Sequence, residues 1–143
     1  MARRDQADRG GALVDAVVQL SFAVHEVLGR LAAEHDLSLT QVRLLGVLRD
    51  REPAMLELAR LLHLEKSSAS GLVDRAERRG LVVRLRGVGT DARAVHVRLA
   101  PAGHELARTF AAALEERLPV LLEPLGARER EALARLAGRV VAP

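Results

Sequence analysis

Lys66-Ser-Ser-Ala-Ser-Gly-Leu-Val-Asp-Arg-Ala-Glu-Arg-Arg79 is the stretch whose reading decides the fold, because of what stands on either side of it. Ahead of it, Leu56-Glu-Leu-Ala-Arg-Leu-Leu62 has the apolar spacing of a short helix, and a tight connection joins the two. Behind it come two strand-like runs, Leu81–Arg86 and Ala94–Leu99, linked by Gly87-Val-Gly-Thr-Asp-Ala-Arg93. Two helices at a turn, followed by a hairpin whose tip carries an arginine, form the layout of a winged helix-turn-helix. In that layout a helix enters the major groove of DNA while a basic hairpin reaches the phosphates or minor groove beside it.

Within the central helix, Ala69, Leu72, Val73 and Ala76 fall on one face and read as core. The opposite face carries Ser67, Gly71, Asp74 and Arg78, flanked by Ser68, Ser70 and Arg75, with Lys66 opening the helix. Small hydroxyl side chains near a helix N-terminus suit close approach, since they and the terminal N–H groups donate to phosphates or base edges. Gly71 costs about 1 kcal/mol relative to alanine inside a helix. It reads equally as a tolerated defect or as a gap that lets the helix sit deep in a groove. On the hairpin, Val95, Val97 and Leu99 alternate with His96 and Arg98, while Arg84 and Arg86, on the first strand, are candidate DNA contacts. Asp91 and Arg93 stand two apart near the tip, where an Asp can brace the hairpin or orient an arginine toward DNA. Gly87 and Gly89 give that tip its backbone freedom.

Composition narrows the rest. A chain of 143 residues is one domain's worth, and although 49% of it is apolar, Phe22 and Phe110 are its only aromatic side chains. A core of Leu, Val and Ala suits packed helices, so the expected class is mostly α (α+β). The absence of cysteine excludes disulfides, thiolate metal sites and thiol redox sensing. The net charge of +3 says little, but its distribution says more: seven arginines lie between Arg75 and Arg98, against Glu77 and Asp91. Met1-Ala-Arg-Arg-Asp5 lacks the apolar segment of a signal peptide, and the uncharged run Ala16–Val24 is too short to span a bilayer. A cytoplasmic protein with no membrane partner is expected.

Outside the central module the pattern is helical. Leu13, Val17, Leu20, Val24, Leu28 and Leu31 recur at steps of three and four, widened by Val14, Val18 and Phe22. Met1–Gly11 is polar and is expected to fray. Ser38 and Gln41 have capping-box spacing at the start of a second helix, and Pro53 either closes that helix or begins the next connection. Pro101 opens a helix through Leu106, Phe110 and Leu114, with Pro119 and Pro124 expected to kink or end it. A last helix from about Ala127 carries Leu133, Leu136 and Val140. The organisation predicted is a DNA-binding lobe over 37–100 and dimerisation helices over 11–35 and 101–143. The terminal helices carry more apolar surface than the lobe can cover, so a symmetric dimer is expected.

These residues resemble the MarR family of bacterial transcription regulators over nearly the whole chain. The likeness is most specific at Leu58-Ala59, Leu62, Lys66–Ser70, Leu72–Arg75, Gly80–Val82, Asp91–Ala94 and Leu99–Gly103. The resemblance implies a homodimer that binds a palindromic operator in double-stranded DNA and usually represses nearby genes. It places DNA contacts at Ser67, Ser68, Ser70 and Arg75, the wing arginine at Arg93 and its structural aspartate at Asp91. Gly71 stands where many members have a long polar or basic residue, and Ala92 where another basic residue is frequent. Family members often bind small anionic aromatics, and here His25 and Arg43 are the polar candidates for such an effector. The five histidines show no His-x₃-His pair, so no metal is expected, and no cofactor. Nor does any arrangement of nucleophile and base, phosphate loop or paired carboxylates suggest an enzyme. Two other readings compete: a winged-helix module that docks an acidic protein, and a low-specificity architectural DNA binder.

Overall fold

Steps of three and four along the apolar residues become helices, interrupted once by a hairpin of alternating pattern. The computed structural model describes residues 2–87 and 93–142, with side chains from Gly10 onward. In order the elements are α1 (Ala2–Glu34), α2 (Leu39–Leu48), α3 (Met55–Leu62), α4 (Lys66–Arg78), β1 (Val82–Arg86), β2 (Val95–Leu99), α5 (Pro101–Leu121) and α6 (Ala127–Val141). The expected winged helix-turn-helix is present as α3, α4 and the antiparallel pair β1–β2. In the hairpin, Val82 faces Leu99 and Arg86 faces Val95.

Residues 28–113 form one compact unit, wider than the lobe expected over 37–100 because it takes in the end of α1 and the first half of α5. Its interior is aliphatic: Leu31, Leu44, Leu58, Leu72, Val73, Val82 and Val97 are almost wholly buried. Each such side chain contributes about 1.5–3 kcal/mol by leaving water. The histidine ring of His35 tilts against buried Phe110, with centroids 6.2 Å apart. The capping box is formed as the sequence predicts. The Gln41 N–H donates to Ser38 Oγ at 3.2 Å, and the Ser38 N–H donates to Gln41 Oε1 at 2.8 Å. Pro53 ends the α2–α3 connection on the sheet: its carbonyl accepts the Val97 N–H at 3.0 Å, and Ala54 bridges to His96.

The end of α4 and the start of α5 meet at Leu81. The N–H groups of Gly80 and Leu81 donate to the carbonyls of Glu77 and Ala76 at 2.8 and 3.0 Å, a Schellman ending with Gly80 at φ +70°. The Leu81 carbonyl then accepts the Ala100 N–H at 2.9 Å. Gly103, in the first turn of α5, passes so close to that carbonyl that a Cβ there would collide with backbone. The close approach is why the strand-to-helix junction Leu99-Ala-Pro-Ala-Gly103 needs its glycine.

The second unit comprises residues 1–27 and 114–143. Helix α1 begins at Ala2, so the polar N-terminal stretch expected to fray is helical. Leu13, Val14, Val17 and Phe22 are exposed, and no described residue of α6 is buried. Pro119 neither ends α5 nor precludes its last turn. The helix runs on to Leu121, and the Leu122 N–H turns back to the Pro119 carbonyl at 3.0 Å. A proline this near the C-terminus removes one donor and leaves few bonds beyond it to lose. The stretch Gly10–Glu34 is long and apolar enough to cross a membrane by length and composition. The run Ala16–Val24 understates this, because Asp15, His25, Glu26 and Arg30 interrupt the helix only sparsely. An apolar stripe that packs on another helix has the same composition.

Gly103→Ala is expected to destabilise the fold by about 1–3 kcal/mol, since the obstacle is a backbone carbonyl that cannot rotate away. Urea unfolding at fixed protein concentration measures it. An unchanged midpoint would mean that α5 can shift off Leu81 at no cost.

Candidate nucleic-acid interface

The turn between α3 and α4 sets the angle of the second helix. His63 closes α3 in the left-handed region at φ 53°, and the Leu64 N–H donates to the Ala59 carbonyl at 2.9 Å. Helix α4 follows at Lys66 without a side-chain cap: Glu65, at the N-cap position, makes no capping bond, and no acid sits in the first turn. Its first N–H groups are therefore not taken up by a neighbouring carboxylate, which leaves the positive end of the helix dipole for an anion.

Ala69, Leu72, Val73 and Ala76 are buried, as the pattern predicts, and turn the opposite face outward. Lys66, Ser67, Ser68, Arg75 and Arg78 are exposed, while Ser70 and Gly71 are half-buried. Gly71 is not forced by packing. A Cβ there would meet only Arg75 Nη1, at an ordinary 3.5 Å, so its side of the helix is open.

Beside the helix, the wing divides its arginines. Arg86 and Arg98 on the strands are exposed, as is Arg93 where the chain re-enters the hairpin. Asp91, predicted to brace the tip, lies outside the described residues, as does Ala92. Arg84 behaves differently from the DNA contact predicted for it. Its guanidinium pairs with Asp74 and with Glu77, each at 2.5 Å, and reaches the Ser70 carbonyl at 3.4 Å. The backbone N–H of Arg84 also donates to Glu77 Oε1 at 3.3 Å. The side chain is 21% exposed. Burial disfavours its charge, but the hydrogen bonds to Asp74 and Glu77 outweigh that and hold the guanidinium above its usual pKa. Arg84 is thus a clamp between β1 and one flank of α4.

Arg79 is a second arginine held by the fold, although it stays exposed. It donates to the Asp36 carbonyl at 2.8 Å and more weakly to that of His35, tying the end of α4 to the α1–α2 turn. Sequence reasoning missed both ties. The clue to the first was present: Asp74 and Glu77 stand three apart on one helix flank, with an arginine on the strand that follows. His25 and Arg43, the candidate effector residues, are both exposed, on α1 and α2. Among the described residues no three His, Asp or Glu side chains gather in a way that could hold a metal ion. His96 Nδ1 lies 2.9 Å from the Glu52 carbonyl, which accounts for its place on the sheet.

Residues 35–94 match the family model described as "MarR family". No curated protein matches the chain in sequence. Among solved structures, it is similar to a MarR family protein from Bacillus stearothermophilus, at 21% identity and TM-score 0.80, covering 93% of this chain and 94% of the other. It is also similar to NadR in complex with 4-hydroxyphenylacetate, at 23% identity and TM-score 0.73, covering 89% and 90%. A third is a point mutant of S. aureus MepR bound to an oligodeoxyribonucleotide, at 19% identity and TM-score 0.64, covering 91% and 96%. These likenesses establish the winged-helix fold.

Since Gly71 has room for a methyl group, Gly71→Ala is expected to stabilise the fold by up to about 1 kcal/mol through helix propensity alone. The readout is a higher urea midpoint with an unchanged slope. A destabilised variant would show that something crowds this face.

Proposed function

We propose that this winged-helix chain, whose residues 35–94 match the MarR family model, is a DNA-binding transcription regulator that acts as a homodimer on a palindromic operator, as a repressor. The observation that carries this reading is the outward face of α4. Ser67 and Ser68 lie in the first turn, beside an uncapped, positively polarised helix N-terminus, Gly71, Arg75 and Arg78 continue that face toward the other end of α4, and Arg86 and Arg93 stand on the adjacent wing.

In this reading α4 enters the major groove. The hydroxyls of Ser67, Ser68 and Ser70 donate to or accept from base edges, Gly71 admits the helix closely, and Lys66, Arg75 and Arg78 meet bases or phosphates. Arg86 and Arg93 contribute charge from the wing. The exposed apolar side chains of α1 and α6, including Phe22 at 63% and Val140 at 83%, support a second copy of the chain as their cover. Two copies related by a two-fold axis would present two recognition helices, hence the palindrome. The NadR neighbour was solved with 4-hydroxyphenylacetate, an anionic aromatic, which supports a similar small molecule as effector here.

Two measurements test this. Footprinting on the DNA upstream of the protein's own gene is expected to protect a palindrome, whereas equal binding to any duplex favours an architectural role. Arg93→Ala is expected to weaken operator and random duplex by comparable factors. It should also reduce the log–log salt slope by about one per lost phosphate contact, so about two for a dimer. Ser68→Ala should cost the operator more, on the order of 1 kcal/mol per half-site if it bonds a base edge. Unchanged binding by Arg93→Ala to both DNAs removes the wing from the mechanism and favours an acidic protein partner.

Light scattering on the intact chain is expected to give twice the chain mass. Leu13→Glu combined with Val140→Glu should shift it toward the monomer, because both positions are already exposed in the single chain and a carboxylate there strains only an interface. A monomer at micromolar concentration in the unaltered protein would overturn both the dimer and the palindrome.

A further inference from the structure

The recognition helix carries two carboxylates, Asp74 and Glu77, on an element whose task in the reading above is to approach a polyanion. Left alone they would oppose the attraction of Lys66, Arg75 and Arg78, since charges within a Debye length of a phosphate are felt by it. Both are occupied by one cation. Arg84 spreads its two terminal nitrogens between them at 2.5 Å each, and its stem lies against α4 with little exposure. The Ser70 carbonyl takes a further share of the same guanidinium. Ser70, Asp74 and Glu77 fall along one flank of the helix, the flank that faces β1.

We propose that Arg84 is a positioning residue for DNA binding that works by masking: it holds the carboxylates of Asp74 and Glu77 so that the recognition helix presents a positive face. This rests on the DNA-binding reading, and it replaces the direct phosphate contact that sequence position alone suggests for Arg84. The guanidinium donors that a phosphate would use are already directed at carboxylates, and the fork geometry of arginine serves two acceptors at once where lysine would serve one. The same contacts fix β1 against α4, so masking and wing placement share one side chain. Charge rescue separates them.

The experiment is a salt titration of binding to mixed-sequence duplex DNA by four proteins: the unaltered chain, Arg84→Gln, Asp74→Asn with Glu77→Gln, and the triple variant. Circular dichroism and urea unfolding accompany each. Masking predicts that Arg84→Gln weakens binding by about tenfold at low salt, as expected when two nearby charges are uncovered. The pair Asp74→Asn with Glu77→Gln should bind within about threefold of the unaltered chain, because those acids are already neutralised. The triple variant, with no acids left to mask, should regain most of the lost affinity.

Other outcomes overturn the proposal. A triple variant that stays weak with a salt slope lowered by about one per chain makes Arg84 a phosphate contact. A triple variant that stays weak with an unaltered slope and a lowered urea midpoint makes Arg84 a wing brace only. If Arg84→Gln alone does not fold, the triple variant and Arg84→Lys carry the test. Masking then requires near-normal binding by the folded triple and an intermediate loss for lysine, and a weak triple overturns it. If the unaltered chain binds no duplex DNA, the regulator reading falls and masking falls with it. Failure of rescue in a protein that binds DNA overturns masking alone.

Discussion

The backbone of one residue, Leu81, joins α4, the hairpin and α5. Its N–H finishes α4 on Ala76, its carbonyl receives Ala100, and Gly103 slides past that carbonyl as the next helix begins. Helix α4, the wing and α5 are referred to one another through these few backbone atoms. Gly80 and Gly103 follow from the same constraint: one supplies a left-handed residue, the other the absence of a side chain. Displacing this residue would move the helix, the hairpin and the start of α5 together.

Around that point the unit is held by aliphatic packing rather than by polar networks. No buried polar or charged residue is found among the described residues, and the charged ties lie at its surface. The two that matter bind neighbouring elements to α4: Arg84 holds β1 to its flank, and Arg79 holds its end to the α1–α2 turn. Such contacts are individually modest in water. Their value lies in direction. They choose which way α4 faces after the aliphatic core has placed it.

The fold was legible wherever a residue's type is tied to a local geometry. The capping box at Ser38, the tight connection before Lys66 and the alternating hairpin all appear where the chain suggests them. Less legible were features set by neighbours distant in sequence. Arg84 and Arg93 look alike along the chain, both basic and both on the wing, yet Arg84 is turned onto two carboxylates of α4. Whether an arginine reaches outward depends on what it meets, and composition records only that it is charged. The N-terminal helix makes the same point. Its polar opening reads as loose chain, but nothing in Arg3, Arg4 or Gln6 prohibits a helix that simply continues. Pro119 reads as a stop, and its place in the final turn makes it a minor one.

The scarcity of aromatic side chains, met first as a matter of composition, has a consequence for how the protein can be watched. With neither Trp nor Tyr, the chain is almost silent in near-ultraviolet absorption and emission, so a bound duplex or an aromatic ligand supplies nearly all of the optical signal. Phe22 lies at the surface, leaving Phe110 as the one phenyl ring inside. Its magnetic anisotropy acts on the neighbouring methyl groups and on the His35 imidazole, 6.2 Å away between centroids. Methyl resonances displaced by a ring current therefore have a single interior phenyl source, and any movement of α5 past the end of α1 would be written in that one set of chemical shifts.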